Sequence, residues 1–253
     1  MRVLRLTVAG AALIAMAGSA IATNSVLAPR VFNDIPGATL LGTKGGSTVT
    51  WSETNVSQAA GSANRDDWLI SSDGVTRDQF GLTDYWTLST DLTLTPGSPT
   101  THIEGGLRLS GLDDAQFTVK AFFDDAVFAA GGPFPFYLAS PPAYTPGSTV
   151  SLQLEYLNIA GANGFLFTYN GVTSPFLPAV NGEGGVPPGS SIGGYFQIAN
   201  DPNNPTNGGS AAFTNIRFNG GLLDATPGAI PEPSTLALLG AGLTGVLGLR
   251  RRR

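Results

Sequence analysis

Apolar and polar residues alternate in short runs over most of the chain. Val150, Leu152, Leu154 and Tyr156 alternate with Ser151, Gln153 and Glu155, the period of two that marks a half-buried strand. Trp86, Leu88, Thr90, Leu92 and Leu94 share one face of residues 85–95, and Phe117, Val119 and Ala121 alternate with Thr118 and Lys120. Val49 and Trp51 sit in another short run, and residues 164–169 and 194–198 supply two more. Late in the chain Thr214, Ile216 and Phe218 are expected on one face, with Asn215 and Arg217 on the other. Turn signals separate these runs: residues 95–98, residues 145–148, Asn163-Gly164, Asn170-Gly171 and Asn219-Gly220. Asn and Gly tolerate the positive φ that tight hairpin turns demand. Residues 165–170, closed by Gly171, predict a hairpin arm paired with the strand over 150–157. Two Pro- and Gly-rich stretches, 131–146 and 175–190, are expected as long loops. No stretch of the body shows a sustained helical stripe. Short strands with Gly/Pro turns and no alternating helices predict an all-β, antiparallel two-sheet sandwich. A jelly-roll of the concanavalin kind is the preferred form by analogy alone, because strand order cannot be read from spacing.

The two ends read differently. Arg2 and Arg5 precede an apolar run over 8–17, and Ala20-Ile21-Ala22 fits a small-x-small cleavage site. These are the parts of a secretory signal peptide, with cleavage expected after Ala22. At the other end, residues 236–249 carry no charge and Arg250, Arg251, Arg252 and Arg253 follow directly. A helix of that length reaches about 21 Å, short of a hydrocarbon core of ~30 Å, so it is a marginal single transmembrane helix. The arginines hold that end in the cytoplasm as a stop-transfer signal. The expected organisation is a signal peptide over 1–22, an extracytoplasmic β-sandwich domain over 23–224, a small-residue linker over 225–230 and a sorting segment over 231–253.

Pro231-Glu232-Pro233-Ser234-Thr235, then an apolar segment, then an arginine cluster resembles the PEP-CTERM sorting signal of exported proteins in Gram-negative bacteria. The resemblance implies recognition by exosortase, a membrane-embedded cysteine protease-transpeptidase, and removal or transfer of the tail near the Pro-Glu-Pro motif. It further implies export across the inner membrane, a transient membrane anchor, and a final place at the cell surface or outside the cell, in association with exopolysaccharide. The resemblance covers only the tail and assigns no family to the body.

Composition narrows the partners. The chain has no Cys and one His, His102, which removes thiol chemistry, disulfides and multi-His metal sites. Trimming both ends leaves seven basic and seventeen acidic groups, a net charge of about −10. Such a body repels nucleic acid, whose binding is driven by Lys and Arg on phosphate.

Candidate chemistry is thin. Gly240-Ala-Gly242-Leu-Thr-Gly245 matches a dinucleotide fingerprint without the strand or the later acid that the fingerprint needs. Gly189-Ser-Ser191-Ile-Gly193 matches a nucleophile elbow, but the elbow needs a His after the Ser and His102 lies before it. Asp66-Asp67, Asp113-Asp114 and Asp124-Asp125 are read first as solvated turns. Calcium is the ion they could take, and no cofactor or metal site is assigned. Asp201–Gly208 is read as a Pro-rich turn. Trp68, next to Arg65-Asp66-Asp67, is the aromatic expected nearest the surface and the candidate glycan contact. No catalytic residue is assigned. The expected function is that of a non-enzymatic surface or matrix protein. The alternatives are a carbohydrate-binding module and, third, a secreted glycoside hydrolase.

Overall fold

The computed structural model describes residues 24–28, 32–33, 39–54, 63–97, 102–111, 114–121, 126–199 and 208–223. Ala20 and Ala22, Asp113, Asp124, Asp125, residues 201–207, the linker, the sorting motif, the apolar tail segment and Arg250–Arg253 lie outside the described residues.

In chain order the strands are β1 (Asn24–Leu27), β2 (Phe32–Asn33), β3 (Thr39–Gly45), β4 (Thr48–Thr54), β5 (Ala63–Ser71) and β6 (Trp86–Pro96). Then come β7 (Ile103–Ser110), β8 (Ala115–Ala121), β9 (Ala126–Gly131), β10 (Phe134–Ala143), β11 (Thr149–Ile159) and β12 (Ala162–Tyr169). Last are β13 (Val172–Thr173), β14 (Leu177–Pro178), β15 (Ser191–Ala199), β16 (Gly208–Phe218) and β17 (Gly221–Leu222). They form two antiparallel sheets. Sheet A runs β1-β5-β15-β7-β8-β9-β10, with β2 also on β5; sheet B runs β13-β12-β11-β6-β16-β4-β3, with β14 on β12 and β17 on β16. Among the described residues no helix is long and apolar enough to cross a membrane.

The core lies between the sheets, where the period-two faces meet. Trp86, Leu88, Leu92 and Leu94 of β6, and Leu152, Leu154 and Tyr156 of β11, pack against Leu107, Leu109, Phe117 and Val119 of sheet A. Phe213 of β16 presents its edge to Trp51 of β4 and to Trp68 of β5, at ring distances of 5.8 and 5.7 Å. Edge-to-face contacts of this kind suit the aromatic quadrupole. Both indoles sit over cross-strand glycines. Gly42 faces Trp51 and Gly194 faces Trp68. A Cβ on Gly194 would lie 2.5–2.7 Å from the Trp68 ring, so only glycine leaves room there.

The expected hairpin is present: β11 and β12 pair from Leu152↔Tyr169 to Ile159↔Ala162. Asn170-Gly171 (φ 47° and 80°) and Asn219-Gly220 (φ 49° and 83°) make the expected turns. Residues 145–148 also turn, with the Ser148 amide donating to the Thr145 carbonyl at 3.0 Å.

Three expectations are corrected. Residues 131–146 are not a loop, because most of them form β10 on β9. Phe134, Ala139 and Tyr144 have apolar ground to cover, and the prolines are tolerated because β10 is an edge strand. Asn163-Gly164 is not a turn but lies inside β12. The β11–β12 turn falls on Ala160-Gly161 (φ 53° and 88°), while Gly164 lets the Phe176 ring come close, where a Cβ would meet it at 2.7 Å. Thr214 does not share a face with Ile216 and Phe218. Asn215 adopts φ 51°, and the register on β6 slips between Thr214 and Arg217. A bulge of this kind shifts the alternation by one. Residues 175–190 are irregular apart from β14, as expected.

Candidate functional site

Two polar sites stand out, one on the outer face of each sheet. On sheet A, alternate residues of β5 point away from the core: Arg65, Asp67, Leu69 and Ser71. Tyr195 of β15 lies beside Asp67 and opposite Gly106 of β7, and Arg108 lies opposite Gln116 of β8. Arg108 donates to Asp67 Oδ2 at 2.5 Å and to Asp114 Oδ1 at 2.6 Å. Asp114 also lies 3.8 Å from Arg65. The Arg65 guanidinium stacks over the Tyr195 ring at 4.8 Å. The Gln116 carboxamide, oriented to satisfy its neighbours, accepts from Arg65 at 3.0 and 2.5 Å and donates to the Tyr195 hydroxyl at 3.2 Å. Thr118 and Tyr195 share a hydroxyl–hydroxyl bond of 2.8 Å.

Burial sets the electrostatics of this lattice. It pushes the Asp67 carboxyl up against the pull of Arg108 and Arg65. It would lower the Arg108 guanidinium, but Asp67 and Asp114 outweigh it and raise the group. The Tyr195 hydroxyl is pushed well above its usual range by burial, with Glu104 adding to the effect. The lattice is compensated within itself. Of its two ion-paired carboxylates, Asp67 is buried and only Asp114 reaches solvent, with half its side chain exposed.

The sheet B site is an open groove of about 440 Å³ on the outer face of the sheet. Its lining includes Ser89 and Asp91 of β6, Gln153 of β11, Thr168 of β12, and Asn215 and Arg217 of β16. The bulge builds it. By changing the phase of β16 it sends Ile216 into the core and leaves Asn215 and Arg217 outward. The Asn215 amide donates to Asp91 Oδ2 at 2.7 Å. The carbonyl that the bulge frees, that of Thr214, is recovered by the buried Thr90 hydroxyl at 3.0 Å. The groove presents one anion, one cation and several hydroxyl and amide groups.

The sequence-expected site residues fare unevenly. Trp68, expected near the surface as a glycan contact, is fully buried against Phe213 and has no open ring face. Asp66 and Asp67 are not in a solvated turn; they lie buried in β5. Every residue of β5 after Ala63 is buried, which alternation could not reveal. Ser191 opens β15, and its hydroxyl donates to the Asp78 carbonyl at 3.0 Å. Among the described residues no group of His, Cys, Asp and Glu is placed to hold a metal. Arg108, Tyr195 and Asp91 carried no sequence signal as site residues. Asn215 carried a faint one, since Asn is disfavoured inside a strand.

Residues 229–253 match the family model of the PEP-CTERM protein-sorting motif. The chain thus carries a PEP-CTERM sorting motif at 229–253, and the match assigns no family to the body. No curated protein matches the chain in sequence. Solved structures similar in shape include a carbohydrate binding module, CBM66, from Bacillus subtilis, at 13% identity and TM-score 0.42 over 74% of this chain and 98% of that one. The metal-free carbohydrate recognition domain of Emp46p gives 11% and 0.45 over 79% and 89%. An endo-1,3-beta-glucanase from Streptomyces sioyaensis gives 11% and 0.45 over 78% and 96%.

Proposed function

We propose that this is a non-enzymatic surface protein, exported and then trimmed by exosortase, whose β-sandwich body serves in an exopolysaccharide matrix. The observation that carries the reading is the sorting motif over 229–253, joined to an all-β body. Binding is preferred to chemistry for a physical reason. Glycoside hydrolysis needs two carboxyl groups about 5–10 Å apart across an accessible bond. The open groove is lined by one, Asp91, and Asp67 is buried against a guanidinium.

The test is the fate of the tail. Glu232→Ala, or deletion of Arg250–Arg253, is expected to hold the full-length chain in the inner membrane. Release at the same mass as the unmodified protein in both variants would sink the sorting reading. Hydrolysis of a β-glucan by the protein, lost on replacing one Asp or Glu, would overturn the non-enzymatic reading.

A further inference from the structure

We propose that the groove around the β16 bulge is a binding site for a neutral polysaccharide chain. The inference rests on the matrix reading above and gives it a location and a ligand class. The lining is polar, and its two charges, Asp91 and Arg217, cancel. Such a surface gives no net attraction to a polyanion, and the body's own charge of about −10 opposes one further. Most small-molecule pockets are largely apolar with a few polar groups. This one has the reverse balance, which suits a ligand covered in hydroxyl groups.

The side chains have the right shapes. A guanidinium is planar with adjacent donors, so Arg217 can bridge a vicinal diol, as such groups do in bidentate pairs, while the other groups offer single fixed acceptors. Asp91 is held by Asn215 through Oδ2, which leaves Oδ1 to accept from a sugar hydroxyl. Among the described residues the Arg217 guanidinium makes one long hydrogen bond, to the Gly220 carbonyl at 3.4 Å, so most of its donors are uncommitted. The Gln153 amide nitrogen is engaged by Glu155 at 2.5 Å, which orients its oxygen as a further acceptor.

The groove is also built in advance. Asn215 occupies a left-handed conformation in mid-strand. Non-glycine residues held there gather at functional sites when the surroundings impose the conformation. Here the buried Thr90 hydroxyl closes the bulge from the core side. Preformed polar groups need little ordering on binding.

The experiment uses the full chain in detergent micelles, with backbone amide resonances followed during titration by cellohexaose, laminarihexaose or maltohexaose, and by a hexauronate as the charged control. At least one neutral hexasaccharide is expected to shift the amides of Ser89, Asp91, Thr168, Asn215 and Arg217. Its affinity should fall at least fivefold in Asn215→Gly, which keeps the positive φ but removes the amide, and in Arg217→Ala. Both variants should unfold at nearly the unmodified temperature. Three results would overturn the groove. Shifts confined to the sheet A edge, where Phe136 and Leu138 are 72% and 50% exposed, would keep glycan binding but move it. Tighter binding of the hexauronate would refute the neutral ligand. Absence of shifts at any amide with every sugar would remove direct glycan binding while leaving the sorting reading to its own test.

Discussion

Buried charge decides which single residues matter most to stability. Arg108 and Asp67 face each other almost without solvent, with side chains 2% and 3% exposed. Removing one partner of such a pair strands the other in a poorly solvating interior. Arg108→Met is therefore expected to destabilise the protein by about 3–5 kcal/mol, read as the midpoint of denaturant unfolding. The double variant Arg108→Met/Asp67→Leu should recover most of that loss; a double variant as unstable as the single one would show that the pair itself, and not the stranded carboxylate, carries the energy. Asp73 gives the opposite case at the surface. Its Oδ1 accepts from the amides of Val75 and Thr76 at 2.8 and 2.6 Å and from the Ser71 hydroxyl at 2.9 Å. These bonds, the Thr76 amide first, hold its carboxyl far below the ordinary 3.8. A lowered folded value contributes stability that is present above that ordinary value and lost as pH falls through the folded one. Amide exchange at Val75 and Thr76, relative to its intrinsic rate, should therefore hold steady above about pH 5 and quicken progressively as the pH falls below the ordinary carboxyl value. Asp73→Asn should loosen the turn at every pH.

Elements are set by what closes them. The β11–β12 turn uses Ala160 at φ 53°, a conformation costing a non-glycine residue roughly 1–2 kcal/mol. Ala160→Gly relieves that strain against a smaller entropic loss, so it should stabilise the protein by about 0.5–1 kcal/mol and raise its unfolding temperature. The turn between β10 and β11 is latched from outside its own sequence. The Tyr144 hydroxyl accepts from the Leu94 amide at 2.9 Å and donates to the Ser148 carbonyl at 2.7 Å. Tyr144→Phe would leave a buried amide without a partner, a loss of about 1–3 kcal/mol. If thermal unfolding does not move, water must replace the hydroxyl. At this scale the sequence was legible wherever alternation ran unbroken, as in β6, β8 and β11. It misled where one residue changed the phase, as Asn215 does in β16, or where apolar contact drew a Pro-rich stretch into an edge strand, as in β10. Asn163-Gly164 failed as a turn signal because Ala160-Gly161 had already reversed the chain.

The whole molecule is an acidic sandwich attached to a sorting signal, and its mass should record both. The full chain is 26.0 kDa. The surface-recovered form is expected to be lighter by the 22-residue leader and by the tail beyond the Pro-Glu-Pro region, as intact mass spectrometry would read. A surface form of 26.0 kDa would contradict the processing at both ends. Read alone, the residues were enough for the class of fold, the faces of β6, β8 and β11, the hairpin over 150–170 and the sorting motif. Those are local properties: a period of two, a turn dipeptide, a linear signal read by another protein. Which strands are neighbours came from packing alone, since β6 pairs with β16 across more than a hundred residues. It also decided that Trp68 is core, that Asp67 meets Arg108 from another strand, and that the β16 bulge lays Asn215 against Asp91. Each of these depends on register between distant segments, and register is fixed by packing both sheets around one shared interior.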